Sequence, residues 1–430
     1  MTETVLLVGG GGREHAIARA LADSDADLYA CAGNKNPGIA RIAEEFETLD
    51  TTNPTAVVDF GREADADLAV VGPEAPLAAG VADALDDADI YAFGPQEAEA
   101  RIETDKAFQR RFMEEEDIPG CPDFETFDDK EAACDYIDEY DGDLVVKPAG
   151  LTGGKGVRVM GDQVDAEGAK EYIRESDYER IVLEERLVGE EFTVQGFVAN
   201  GDLRVTPAVQ DHKRAFEGDE GPNTGGMGSY SDSSLELPFM SESEYMDAVD
   251  VMQATVDALD GYKGVLYGQF MLTTEGIKVV EFNARFGDPE AMNTLPVLET
   301  DFLDVLTAAR DGDDLPKLKF QRQATVCKYA VPEGYPTDPE AGALVKVDEE
   351  SAGDALLFYA SVDERDDGIY TTTSRSFALV GVADTITEAE EIAEDALAVA
   401  GEEGLRIRHD IGKPDLVQQR IDHMAELRGE

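Results

Sequence analysis

Apolar positions along the chain follow two rhythms. Over the first hundred residues, short runs of β-formers ending in glycine (TVLLVG, DLYACAG, DLAVVG, IYAFG) alternate with amphipathic stretches (EHAIARALADS, AAGVADALDDA). That alternation predicts a parallel sheet with crossover helices. The pattern then changes. Residues 101–118 (RIETDKAFQRRFMEEEDI) predict one helix, with Phe108 and Phe112 packed and Lys106 and Arg110 four apart on another face. DLVVKPAGLTGGKGVRVM (143–160) predicts strand, Gly-rich loop, strand, and RIVLEERLVGEEFTVQGFV (180–198) predicts two further strands. A helix over 241–260 precedes an antiparallel pair, GVLYGQFMLT and IKVVEFNARF, and PVLETDFLDVLTAAR predicts another helix. The last hundred residues read as a mainly β module with one late helix, TEAEEIAEDALAVA, and without a motif that carries chemistry.

Composition narrows the function classes. With 430 residues and 42% apolar content, the chain is expected to form two to four domains with real cores. Its 94 acidic and 36 basic residues give a formal net charge of -58. A surface so acidic repels nucleic acid and anionic membranes, so any phosphate it binds is expected on a small molecule in a basic or Gly-rich pocket. The acid is interleaved with apolar periodicity, which is not the signature of disorder. It fits a folded protein adapted to a salty cytoplasm, where a Debye length of roughly 3 Å at 1 M removes most self-repulsion. Cys31, Cys121, Cys134 and Cys327 form no C-x-x-C pair, so neither a zinc site nor a disulfide framework is expected. The N-terminus has no basic n-region and no apolar run reaches about 18 residues, so a soluble, cytoplasmic protein is expected.

Chemistry concentrates in a few stretches. In IKVVEFNARFGDPE (277–290), alternation puts Glu281 and Asn283 on the face opposite Val280 and Phe282. Together they offer hard oxygen ligands of the kind Mg²⁺ accepts alongside phosphate and water. A strand with one solvated face is the alternative; the Gly287-Asp288-Pro289 turn just beyond favours a site, because it returns Arg285 and Asp288 over the strand end. The loop GGGGREHA (9–16) follows the first strand but fails dinucleotide spacing, since Glu14 or His15 stands where the third Gly or Ala is required. Its backbone N–H groups can meet an anion, or the loop is only a tight turn; Arg13, Glu14 and His15 fit a cap or a solvated face as well as function. GLTGGKG is not a Walker A loop, because Gly156 follows Lys155 and a strand follows the loop; it reads as a flap over phosphates. Residues 210–230 (QDHKRAFEGDEGPNTGGMGSY) read as a long functional loop whose His212-Lys213-Arg214 stands out against the acidic background.

The ordered series GGREHAIA, VVGPEAPLAAGV, DKAF, KPAGLTGGKGV, QDHKR, GPNTGGMG and EFNARFGDPE closely resembles the phosphoribosylamine–glycine ligase family of ATP-grasp enzymes, from near residue 5 to RHDIG at 408–412. The resemblance implies an α/β and α+β multidomain fold: a Rossmann-like N-terminal domain over 1–100, an ATP-grasp domain over 101–315 with a mobile lid near 120–189, and a mainly β domain over 316–430. It implies ligation of glycine to 5-phosphoribosylamine through an acyl phosphate, with ATP as co-substrate and Mg²⁺ or Mn²⁺. By the same resemblance Glu281 and Asn283 hold metal with Gln269, while Lys106 and Lys147, together with Lys155 in a flap that includes Gly153, Gly154 and Gly156, meet the phosphates. Glu184, Leu187 and Glu190 frame adenine and ribose. Arg285 stabilises transferring charge, with Lys155, Asp211 and Lys213 as further catalytic candidates. Asp211, Lys213, Asn223, Thr224, Gly225, Gly226, Arg285, Gly287 and Asp288 hold glycine and phosphoribosylamine, helped by Gly11, Gly12, Pro73 and Glu74. The sequence departs from the family pattern at Gly10, at GNKNPG (33–38) and at Ala149. Another ATP-grasp carboxylate–amine ligase and a non-catalytic nucleotide-binding regulator are the alternatives. Oligomeric state is left open, with a monomer favoured.

Overall fold

The computed structural model describes residues 2–150, 156–401 and 404–430. Its first sheet has five parallel strands in the order Glu45–Thr48, Ala26–Ala32, Glu3–Val8, Leu68–Val71, Tyr91–Phe93. Val5, Leu6, Leu7 and Val8 are all fully buried, as expected of a central strand covered by helices on both faces. The chain leaves Glu3–Val8 toward one edge of the sheet and later returns to Leu68–Val71 on its other side. This makes a crevice at the carboxyl ends of those two strands. Gly9–Gly11 and Pro73-Glu74 are the residues that follow them.

The helix expected over 101–118 is two helices, Glu97–Thr104 and Lys106–Glu115. Asp105 breaks them: it is extended at ψ 97°, and its carboxylate accepts from Phe108 N at 3.0 Å as the N-cap of the second helix. Phe108 and Phe112 stack on each other half-buried, whereas Lys106 and Arg110 are buried, so the charged face is the one turned inward. Two antiparallel four-stranded sheets follow. One carries Phe124–Phe127, Ile181–Glu185, Leu144–Pro148 and Arg158–Val159; the other carries Asp202–Val205, Glu190–Ala199, Gly264–Thr273 and Gly276–Asn283. The last of these is not a regular strand. Gln269 pairs with Glu281 and Phe270 with Val279, which leaves Val280 as a bulge. The bulge resets the side-chain alternation, so Ile277 and Val279 are core before it and Phe282 and Ala284 after it.

The segment 210–230, expected to be a structureless loop, is instead largely strand. Gln210–Asp211 pairs with Gly228–Ser231, which pairs with Ala324–Pro332 of the C-terminal sheet, and Arg214–Phe216 pairs with Glu220–Asn223. The C-terminal region also has two long helices rather than one, Ile386–Ala400 and Pro414–Arg428. Among the described residues, no helix is long and apolar enough to cross a membrane.

His15 belongs to the contact between the first and last regions. Its Nδ1 accepts from Tyr359 N at 2.8 Å and its ring meets Phe358 edge-on, so it is neither a cap nor a solvated residue. Burial, with Arg19 nearby, lowers its pKa to about 3, and burial lowers that of His212 to about 3 as well. Both are neutral when folded, while the unfolded chain takes up protons below about pH 6.5. The stability that each of these two histidines contributes is therefore fully present above about pH 6.5 and is lost as pH drops toward 3, by up to about 1.4 kcal/mol per pH unit. Buried acids with raised pKa values, Asp211 among them, work in the opposite direction, so the test is a difference: in urea unfolding at pH 7.5 and 5.5 in constant salt, His15→Gln is expected to lose less stability on acidification than the unaltered protein.

Candidate functional site

A cleft of about 920 Å³ opens where the three regions meet. Its floor is the bulged strand. The Val280 carbonyl at the bulge accepts from Lys147 Nζ at 3.0 Å and from Arg110 Nη2 at 2.7 Å. Lys147 also lies 2.7 Å from Glu184 Oε2, and Arg110 grips both Glu184 oxygens at 2.8 and 2.9 Å. All three are buried. Burial alone would raise the Glu184 pKa, but Arg110 and Lys147 outweigh it and hold the carboxyl ionised. Glu184, expected to frame adenine and ribose, lines the cleft with its carboxylate engaged by Arg110 and Lys147. Lys106 begins its helix with Nζ 3.3 Å from Gly150 O, and its side chain also lines the cleft. Leu187 lines the same end, just beyond the strand Ile181–Glu185. Glu190 is buried there, 2.6 Å from His423 Nδ1. Gly156 is buried, with its carbonyl accepting from Tyr172 OH at 2.8 Å; Gly153, Gly154 and Lys155 lie outside the described residues.

Glu281, Asn283 and Gln269 come together as expected, on the paired strands. Asn283 Nδ2 is 3.4 Å from Glu281 Oε1, and Gln269 donates to Glu191 Oε2 at 2.6 Å and accepts from Lys213 Nζ. Burial would raise the Glu281 pKa, but Lys213, Lys106 and Lys147 bring it down to about 2. Burial works against the charge of Lys213, yet Asp211, Glu191, Glu281 and Glu290 raise its pKa above the ordinary lysine value. One ammonium thus sits among four carboxylates, an environment suited to additional positive charge. Among the described residues, no group of three or more His, Cys, Asp or Glu forms a metal cage. The oxygen donors fit a hard dication that takes one or two protein carboxylates and completes its shell with phosphate and water. Glu191 was not anticipated, because only the pairing of Glu190–Ala199 with Gly264–Thr273 brings it to Gln269.

The far end gathers the expected substrate residues less evenly. Asp211, Lys213, Asn223, Thr224, Gly225, Arg285, Asp288, Gly11, Pro73 and Glu74 line the cleft, whereas Gly12, Gly226 and Gly287 sit behind it. Gly12 opens the helix Gly12–Ala22, and a methyl there would collide with the Tyr329 hydroxyl. Gly287 N donates to Gln195 Oε1 at 2.7 Å, and a methyl on Gly226 would stand 2.7 Å from Pro289. These three are close-approach glycines that let the wall pack. At Gly11 the N–H expected to meet an anion donates to Glu14 Oε2 at 2.6 Å, so Glu14 caps the helix and occupies that donor. Thr224 Oγ1 donates to Lys213 O at 2.8 Å and fixes the segment's turn.

Arg285 is ion-paired with Glu103 at 2.9 Å and lies 3.7 Å from Glu74. Burial opposes its charge, but Glu103 and Glu74 raise its pKa, so it stays cationic. Burial raises the Asp211 pKa, with Lys213 opposing and Glu290 assisting. Asp288 receives Tyr329 OH at 2.6 Å and Arg375 Nη2 at 3.1 Å. Arg375 also donates to the carbonyls of Gly225 at 2.7 Å and Asp288 at 2.9 Å. Nothing in TTTSRSF announces that role; only the fold brings Arg375 to residues far back in the chain.

Residues 3–103, 104–291 and 325–414 match the N domain, the ATP-grasp (A) domain and the C domain of phosphoribosylglycinamide synthetase. The phosphoribosylamine–glycine ligase of Methanococcoides burtonii is 54% identical over 435 residues, covering 99% of each chain. That of Methanocella arvoryzae is 52% identical, covering 99% of this chain and 100% of its own. The crystal structure of phosphoribosylamine–glycine ligase from Thermotoga maritima superimposes with a TM-score of 0.80 at 25% identity, covering 95% of this chain and 99% of that one.

Proposed function

This chain belongs to the phosphoribosylglycinamide synthetase family, and from that membership we propose that it ligates glycine to 5-phosphoribosylamine with ATP, giving glycinamide ribonucleotide, ADP and phosphate in purine biosynthesis. One observation carries the reading. A single cleft joins buried lysines beside an ionised Glu281 to a second group of carboxylates and arginines contributed by all three regions.

A carboxylate is a poor electrophile, so the glycine oxygen first attacks the γ-phosphorus, forming an O–P bond as the bond to ADP breaks. The amine nitrogen of phosphoribosylamine then attacks the carbonyl carbon, and phosphate leaves with the oxygen that came from glycine. Positioning and charge neutralisation supply most of the catalysis in phosphoryl transfer. Lys147, steered by Glu184, and Lys106 face the phosphates, with Leu187 at adenine and Glu190 at ribose. Glu281 and Asn283, with Gln269 and Glu191 behind them, are suited to Mg²⁺ or Mn²⁺, which when bound neutralises developing phosphate charge. Asp211 and Asp288 offer carboxylates to the glycine ammonium, Asp211 also offers a proton acceptor for the attacking amine, and Lys213 and Arg285 balance charge during transfer. Pro73, Glu74 and Arg375 flank the phosphoribosylamine end. ADP release that requires both glycine and 5-phosphoribosylamine tests the reading; release with another amine or acid acceptor instead would favour a different ATP-grasp ligase.

The net charge of -58 and four free cysteines support a reducing, salty cytoplasm as the working environment. Lowering salt from about 1 M to about 0.1 M lengthens screening from roughly 3 to 10 Å. The thermal midpoint is expected to fall on that dilution, and an unchanged midpoint would count against halophilic adaptation.

A further inference from the structure

The helix Pro414–Arg428 runs on from residue 414, where the C-domain match ends, yet its Arg420 and His423 line the cleft together with Glu190. Leu416 and Met424 anchor it in the core. From the same helix, His423 Nδ1 stands 2.6 Å from Glu190 Oε1 and Arg420 Nε stands 3.6 Å from Glu190 Oε2. Gln210 Nε2 donates to the same Oε2 at 3.1 Å. Arg420 also pairs with Asp219, which is held in addition by Arg408 at 2.8 Å. A carboxylate only 4% exposed is costly to keep charged without partners. Burial pushes the Glu190 pKa up, and Arg420 and His423 work against that rise. An ionised carboxylate has about four acceptor positions; His423 and Gln210 occupy two, and Arg420 at 3.6 Å adds charge without a hydrogen bond, so room remains for a ligand hydroxyl.

We propose that His423 and Arg420 are positioning residues that hold Glu190 ready to accept from the ribose hydroxyls of the nucleotide, making the C-terminal helix part of the nucleotide site. This rests on the reading that Glu190 faces ribose. A tether serving only to dock the helix would affect stability; a positioning role affects recognition of the sugar. KM and kcat with ATP and with 2′-deoxy-ATP and 3′-deoxy-ATP, measured on the full-length protein and its variants, separate the two.

For Glu190→Gln, loss of discrimination between ATP and the deoxy analogues is expected. For His423→Ala, KM for ATP should rise by roughly tenfold, the scale of one hydrogen bond to a charged group, with discrimination reduced and kcat changed less. His423→Gln, which retains a donor, should restore much of both. If His423→Ala lowers the thermal midpoint, the comparison of His423→Gln with His423→Leu decides. Unchanged KM and discrimination in the His423 variants, with Glu190→Gln altering both, would overturn the positioning role alone. Unchanged sugar discrimination in Glu190→Gln would overturn the ribose reading and the proposal with it.

Discussion

Replacing Glu281 by Gln is expected to lower turnover by roughly 10²–10³-fold or more while leaving the fold intact, a loss on the scale of removing one preorganised electrostatic group from an active site. The substitution keeps shape and removes only charge. Glu281 is the carboxylate whose pKa Lys213, Lys106 and Lys147 bring down to about 2, so at neutral pH it is fully ionised among three ammonium groups. Without it those cations face less compensation, and the oxygen pair it forms with Asn283 loses its negative member. Steady-state ADP release, with circular dichroism and the thermal midpoint recorded in high salt, checks both halves. Near-normal rates would remove Glu281 from the chemistry.

The second large effect concerns stability. Glu184→Leu is expected to destabilise the protein by about 3–5 kcal/mol, because it leaves Arg110 and Lys147 as two buried cations without their shared counter-charge. Arg110→Met should cost less. Its removal leaves the Glu184–Lys147 pair neutral at 2.7 Å, although the Val280 carbonyl loses a donor. Urea unfolding in constant high salt orders the two variants. A loss for Glu184→Leu within the roughly 0–1 kcal/mol of a surface ion pair would contradict the buried network.

Much of this arrangement was legible in the sequence wherever the cause is local. Short apolar runs ending in glycine specify the parallel sheet, and the pairing that joins Gln269 to Glu281 follows from two adjacent strands. What stayed hidden depends on distant partners. Asp105 breaks a helix that periodicity runs straight through, because its carboxylate caps the next helix and also pairs with Arg180 at 2.9 Å. The bulge at Val280 shifts the strand's alternation without any glycine to announce it. The polar segment 210–230 becomes strand because the sheet around Ala324–Pro332 offers an edge. Arg375, Arg420 and His423 gain meaning only when the C-terminal region folds back over the cleft, and in a surface this rich in charge no composition signal separates them from solvated residues.

In the proposed reaction one glycine carboxylate oxygen is phosphorylated and then leaves as phosphate. Turnover with glycine labelled with ¹⁸O in its carboxylate, followed by ³¹P NMR of the phosphate released, tests this most directly. One ¹⁸O atom is expected in each phosphate formed; phosphate free of ¹⁸O, with glycinamide ribonucleotide still produced, would rule out the acyl phosphate.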